Sequence, residues 1–155
     1  MIQALCIRKG LLFMMISTRG RYVLRVLADL AEHSNGKYIP MKDIADRQEL
    51  SLKYIEKIMP LLTKQNFVDG LHGKGGGYRL NRPPEEYRVG DILRLTEGTL
   101  APVQCLEKEA NLCERAASCR TLPMWEKFNQ MTNEFFDSVT LADLITPRDG
   151  NEYVI

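Results

Sequence analysis

Four glycines occupy the five positions Gly73-Lys74-Gly75-Gly76-Gly77, and no other stretch of the chain limits its fold so sharply. Glycine adopts backbone conformations that other residues avoid, so the run predicts a tight turn. On either side, Phe67-Val68-Asp69-Gly70-Leu71-His72 and Gly77-Tyr78-Arg79-Leu80 read as two short strands, making the segment a β-hairpin. Lys74 and Arg79 give it a positive charge. A basic hairpin with glycines at its tip, Gly75 and Gly76 among them, suits close approach to a phosphate backbone.

The residues ahead of the hairpin carry helical periodicity. Thr18 is placed to cap a helix running to about His33, with Tyr22, Val23, Val26, Leu27, Leu30 and Ala31 spaced by threes and fours. Ser34-Asn35-Gly36-Lys37 ends it. A short helix is expected over Met41–Arg47 after Pro40, then a turn at Gln48-Glu49-Leu50. Ser51 is placed to cap a longer helix to about Gln65, whose inner face holds Leu52, Ile55, Ile58, Met59 and Leu62. Pro60 predicts a kink or break in it. Two helices joined by a short turn and followed by a hairpin read as a helix-turn-helix with a wing. In such a module the second helix points its first residues, here Ser51, Lys53 and Tyr54, at base edges. Lys57 and Lys64 lie further along, suited to phosphates, and Glu56 shares the helix. Lys74 and Arg79 would reach phosphates or the minor groove.

Beyond Pro84 the chain changes character. Residues 15–82 carry 12 Lys and Arg against 7 Asp and Glu, whereas residues 83–155 carry 7 against 13. The first part has reason to face a polyanion and the second has none. A short helix is expected over Val89–Leu95, with Ile92 and Leu95 buried. Cys105, Cys113 and Cys119 follow in a stretch of weak periodicity. From about Ser118, Leu122, Trp125, Phe128, Met131, Thr132, Phe135 and Phe136 mark a long aromatic helix, more apolar than one small domain can cover, which predicts a homodimer. Leu141–Ile145 reads as a closing helix. The expected fold is mostly α with a small β-hairpin wing: a winged helix-turn-helix domain plus a long dimerisation helix. The expected division is an extension (1–14), the DNA-binding domain (15–84), a linker helix and cysteine loop (85–117), the dimerisation and closing helices (118–145) and a tail (146–155).

No run is long and apolar enough to span a bilayer. The first residues are mixed, with charges in the middle and no small-residue cleavage site, so they make a poor signal peptide. The expected location is therefore the cytoplasm. Clustered cysteines in a reducing compartment read as metal ligands or redox thiols rather than structural disulfides. Thiolates suit iron in iron–sulfur clusters, zinc or copper(I). Cys6 stands apart and has no assigned role. No catalytic arrangement appears, and Gly73–Gly77 lacks the Gly-Lys-Ser/Thr ending of a nucleotide-binding loop, so no enzyme is expected.

Three motifs, Ile16-Ser17-Thr18-Arg19-Gly20-Arg21-Tyr22, Ser51-Leu52-Lys53-Tyr54-Ile55-Glu56 and Gly73-Lys74-Gly75-Gly76-Gly77-Tyr78, occur in this order. They resemble the IscR/NsrR/CymR family of bacterial winged-helix regulators over about residues 15–145, most nearly its IscR branch. The resemblance implies a homodimeric repressor on double-stranded DNA with a roughly palindromic operator. It also implies a long helix crossing between subunits, a [2Fe–2S] cluster on Cys105, Cys113 and Cys119, control of iron–sulfur biogenesis genes, and cluster donor proteins as partners. Two features depart from the better-known cluster-binding members. The first cysteine gap is longer by two residues, and Leu122 stands where they place a histidine ligand. A [2Fe–2S] cluster normally takes four protein ligands. Glu56, then His33, are the candidates for the fourth. Two other readings remain open: a cluster-free repressor of cysteine metabolism genes controlled by a partner protein, and a zinc-stabilised protein-interaction module.

Overall fold

Apolar residues recurring at three and four bury one face of each of three helices, and those faces meet. The computed structural model describes residues 16–107 and 113–146. Helices α1 (Thr18–Glu32), α2 (Met41–Gln48) and α3 (Leu52–Lys64) lead into strands β1 (Val68–Leu71) and β2 (Gly77–Leu80). Helices α4 (Val89–Glu97), α5 (Leu122–Ser138) and α6 (Leu141–Ile145) follow. Val23, Val26 and Leu27 of α1, Ile44 of α2, Ile55, Met59 and Leu62 of α3 and Val68 of β1 form one core. Tyr87, Ile92 and Leu141 belong to it too, so the winged module draws on residues beyond the expected boundary at 84. The mostly helical fold with its hairpin wing is as expected.

Several local expectations need correction. Ser17, not Thr18, caps α1: Ser17 is extended and its hydroxyl accepts the Gly20 N–H at 3.1 Å, while Thr18 is already helical. The break expected at Pro60 does not occur, and α3 runs through it. Pro60 withholds the N–H due to the Glu56 carbonyl, but it lies on the exposed face, where water can supply a donor. Leu52 is 41% exposed rather than inward, because it opens the first turn of α3 ahead of the packed stretch. Leu95 is only partly buried, and α4 continues past it to Glu97. Helix α5 begins at Leu122, not Ser118. A 3₁₀ turn over Ala116–Ser118 precedes it, and Pro123 sits in the first helical turn, where its missing N–H costs nothing.

The helix-turn-helix is set by a buried carboxylate. Asp29 on α1 is fully buried and accepts from Arg47 of α2 through Nε at 2.9 Å and Nη2 at 2.7 Å. Gln48 Nε2 adds a third bond at 3.0 Å. Burial pushes the Asp29 carboxyl up, but the bonds from Arg47 and Gln48 and the Arg47 charge outweigh it and hold the group below its ordinary value. Glu49, in the left-handed region at φ 53°, then turns the chain into α3.

Replacing Arg47 with Ala leaves that carboxylate buried without its charged partner. The expected cost is about 3 kcal/mol at neutral pH. The sign of its pH dependence follows from the carboxyl. In the parent, Asp29 stabilises the fold above the unfolded value near pH ~4 and ceases to do so as acid protonates it. In Arg47→Ala, burial dominates and pushes the carboxyl up, so the deficit against the parent should shrink as pH falls toward ~4. Urea unfolding of both proteins at several pH values measures it; a deficit independent of pH would count against the pair.

Candidate nucleic-acid interface and metal centre

The start of α3 presents an exposed polar edge. The Ser51 hydroxyl caps the helix by accepting the Tyr54 N–H at 3.2 Å. Lys53, Glu56, Lys57 and Lys64 are all exposed on the same helix. Tyr54 is half-buried: its ring meets Tyr22 of α1 edge-on, with centroids 5.3 Å apart. The sequence reading missed what α1 adds here. Arg25 is exposed, donates from Nε to Gln48 Oε1 at 3.2 Å and from Nη2 to the Gln48 carbonyl, and lies over the Tyr22 ring at 5.4 Å. It ties α1 to the turn while adding a positive charge beside the recognition helix. Its place on the stripe of Asp29 and Tyr22 was the available signal.

The wing owes its shape to specific glycines. Register pairs Val68 with Leu80, Asp69 with Arg79, Gly70 with Tyr78 and Leu71 with Gly77. Ile39 extends the sheet by exchanging two 2.8 Å bonds with Tyr78. At the tip Gly73 and Gly75 have φ of 94° and 77°, conformations that suit glycine. A Cβ on Gly76 would collide with the Leu71 carbonyl. Lys74 stands exposed at the tip, whereas Arg79 is engaged: it pairs with Asp69 at 3.4 Å and lies over the Tyr38 ring at 4.6 Å. The base of the wing is held by Tyr87, another residue the sequence reading passed over. Its buried hydroxyl donates to the Phe67 carbonyl at 2.7 Å and accepts the Asn81 N–H at 3.1 Å. Burial pushes that phenol above its ordinary value.

The cysteines lie between α4 and α5, and residues 108–112 of their loop fall outside the described residues. Cys105 and Cys119 are half-buried, Cys113 is exposed, and all three are free. Bonds from the Thr121 hydroxyl (3.4 Å) and from the Thr121 and Leu122 N–H groups at the start of α5 lower the Cys119 thiol, favouring thiolate. The donors thus suit a soft-metal group in kind. Among the described residues, however, no three His, Cys, Asp or Glu side chains converge within the chain. His33 ends α1 with its Nδ1 on the Asp29 carbonyl at 2.9 Å, and Glu56 is on α3; the single chain brings neither into a group with the cysteines.

A helix-turn-helix with an exposed basic recognition helix and a glycine-tipped wing defines a winged-helix DNA-binding regulator. The family profile described as Rrf2, iron-dependent transcriptional regulator, matches residues 16–147, and the chain belongs to that family. Its members are transcriptional regulators, not enzymes. The chain is 37% identical to Protein rrf2 of Nitratidesulfovibrio vulgaris over 132 residues, 85% of this chain and 87% of that one. It is 31% identical to the HTH-type transcriptional regulator IscR of Serratia proteamaculans over 136 residues, covering 88% and 82%. Among solved structures it resembles CymR, the global cysteine regulator of B. subtilis, with TM-score 0.70 and 33% identity over 87% of this chain and 98% of that one. It also resembles T. potens IscR, with TM-score 0.66 and 34% identity over 84% and 85%. Among the described residues no helix is long and apolar enough to cross a membrane.

Lys74→Ala should weaken binding to specific and scrambled duplexes alike and reduce the slope of log K against log salt by about 0.9 for each wing on the DNA. Titrations at several salt concentrations measure this, and an unchanged slope would take the wing tip out of the footprint. Gly76→Ala should weaken DNA binding by a different route, because the added Cβ deforms the hairpin.

Proposed function

We propose that this protein is a homodimeric repressor that senses iron–sulfur status through a [2Fe–2S] cluster and controls genes of cluster biogenesis. The observation that carries the reading is the set of three free cysteines between α4 and α5, with hydrogen bonds at the start of α5 lowering the Cys119 thiol. Similarity to IscR proteins supports it. Cys105, Cys113 and Cys119 would hold the cluster, with Glu56 as fourth ligand and His33 as second choice. When bound, the cluster supplies iron–thiolate bonds that respond to iron supply and oxidation.

The dimer follows from the faces of α5. Its polar side meets its own chain: Arg94 of α4 donates to Asn133 Oδ1 at 3.0 Å and pairs with Asp137. Its apolar stripe faces away, with Met124 56%, Phe128 43%, Met131 54% and Phe135 60% exposed. Covering the exposed half of each such side chain gains about 1 kcal/mol. A second α5 is the natural cover, and the dimer places two recognition helices on a palindromic operator. Glu56 gives the switch. Free on the exposed face of α3 between Lys53 and Lys57, its carboxylate repels phosphates or accepts from a cytosine amine. Held as a ligand, it is withdrawn from that surface.

The likeness to CymR favours a second reading, a cluster-free repressor of cysteine metabolism genes under control of a partner protein. Anaerobic purification separates the two. Visible absorbance with iron and acid-labile sulfide supports the first; a colourless protein with unreacted thiols after full cluster-loading supports the second. Cys105→Ala should abolish the cluster, while Glu56→Ala should shorten its lifetime in air with the dimer intact. If Glu56→Ala keeps the parent spectrum and lifetime and His33→Ala does not, His33 is the ligand. Phe128→Glu with Phe135→Glu should turn the dimer into monomer in sedimentation.

A further inference from the structure

The wing carries a titratable residue that neither the fold nor the proposed sensor uses. His72 follows the end of β1 and lies on the exposed tip, with Gly73 between it and Lys74. It is one of only two histidines in the chain. The other, His33, is tied to the Asp29 carbonyl at the far end of α1. Residues 70–75 are all exposed. The charged groups of the hairpin are Lys74 at the tip and the Asp69–Arg79 pair lower down, which satisfy each other. Among the described residues no carboxylate forms an ion pair with His72. The ring therefore shares the exposed tip with one lysine.

We propose that His72 is a DNA-contacting residue of the wing whose protonation couples DNA affinity to pH. The inference rests on the reading that the wing tip meets the duplex. Unlike lysine or arginine, an imidazole changes charge across the physiological range. A phosphate favours the charged form, so binding takes up a proton at His72. The sign is fixed: affinity rises as pH falls, and the protonated ring adds a second positive charge to each wing beside Lys74. The Gly76 N–H donates to the Gly73 carbonyl at 2.9 Å, closing the turn that carries both residues.

The test uses the full-length parent protein prepared cluster-free, with a duplex selected from random sequence for tight binding and a scrambled control. From pH 7.5 to 6.0 the parent should bind both duplexes about tenfold more tightly, with a steeper salt dependence at the lower pH. His72→Gln should remove the pH response and hold affinity at the weak level. His72→Lys should remove it and hold affinity at the tight level. His33→Gln should keep the parent's response. A response that survives in both His72 variants, or that vanishes only in His33→Gln, overturns the proposal. Lys74→Ala separates the two layers of argument. If it leaves affinity and salt slope untouched, the wing itself is off the DNA; if it weakens binding while the parent shows no pH response, the assignment to His72 alone fails.

Discussion

A fully buried carboxylate cannot be left unpaired, and Asp29 makes that constraint the organiser of the DNA-binding head. Its bidentate bond to Arg47 and its third bond from Gln48 fix α2 against α1. Gln48 in turn accepts from Arg25, so the polar network continues to the surface at the turn of the helix-turn-helix. The placement of α3 depends on that turn. Breaking the network costs more than the interactions themselves, because the uncompensated charge stays inside. Hydrophobic packing of Ile44, Ile55 and Met59 provides the bulk of the cohesion, but packing is non-directional. The ion pair adds a directional tie between Asp29 of α1 and Arg47 of α2.

A second polar anchor sets the wing. The Tyr87 hydroxyl joins the Phe67 carbonyl and the Asn81 N–H, the residues flanking the two strands, while the Tyr87 carbonyl accepts the Leu141 N–H at 2.9 Å. One residue thereby links the hairpin base to α6 and to the segment that leads into α4. Arg82 lies over the Tyr87 ring at 4.5 Å, covering the same joint. The glycine tip is free to project because its base is held so firmly.

Helix α5 lies between the cysteine loop and the rest of the fold. Arg94, bonded to Asn133 and paired with Asp91 and Asp137, fastens α5 to α4, whose Ile92 belongs to the head's core and whose Leu93 packs with Val89 and Leu100 in a separate cluster that Phe136 of α5 also meets. The cysteines precede α5, and Cys119 lies three residues before its first residue, Leu122. That thiol is hydrogen-bonded by Thr121 and Leu122, at the start of the helix that also carries the exposed apolar stripe. The same element thus bears on the thiols, on the proposed subunit contact and on the head.

The helices and the hairpin were legible from the sequence, because periodicity and glycine act locally: Ile44, Ile55, Met59 and Gly73–Gly77 each report a nearby backbone state. Exact starts were not, since Ser17 and Thr18 both suit a cap and only the entering chain direction decides between them. The partners of Asp29, the hub at Tyr87, the capture of Arg79 by Asp69 and Tyr38, and the burial of Tyr54 against Tyr22 were also hidden. Each joins residues distant in the chain, and no local pattern says which charge meets which. The sequence by itself determined the elements, their order and the chemistry they carry. Only the tertiary structure decided which side chains are consumed in holding the fold and which remain free at the surface, because desolvation and pairing are properties of the packed neighbourhood.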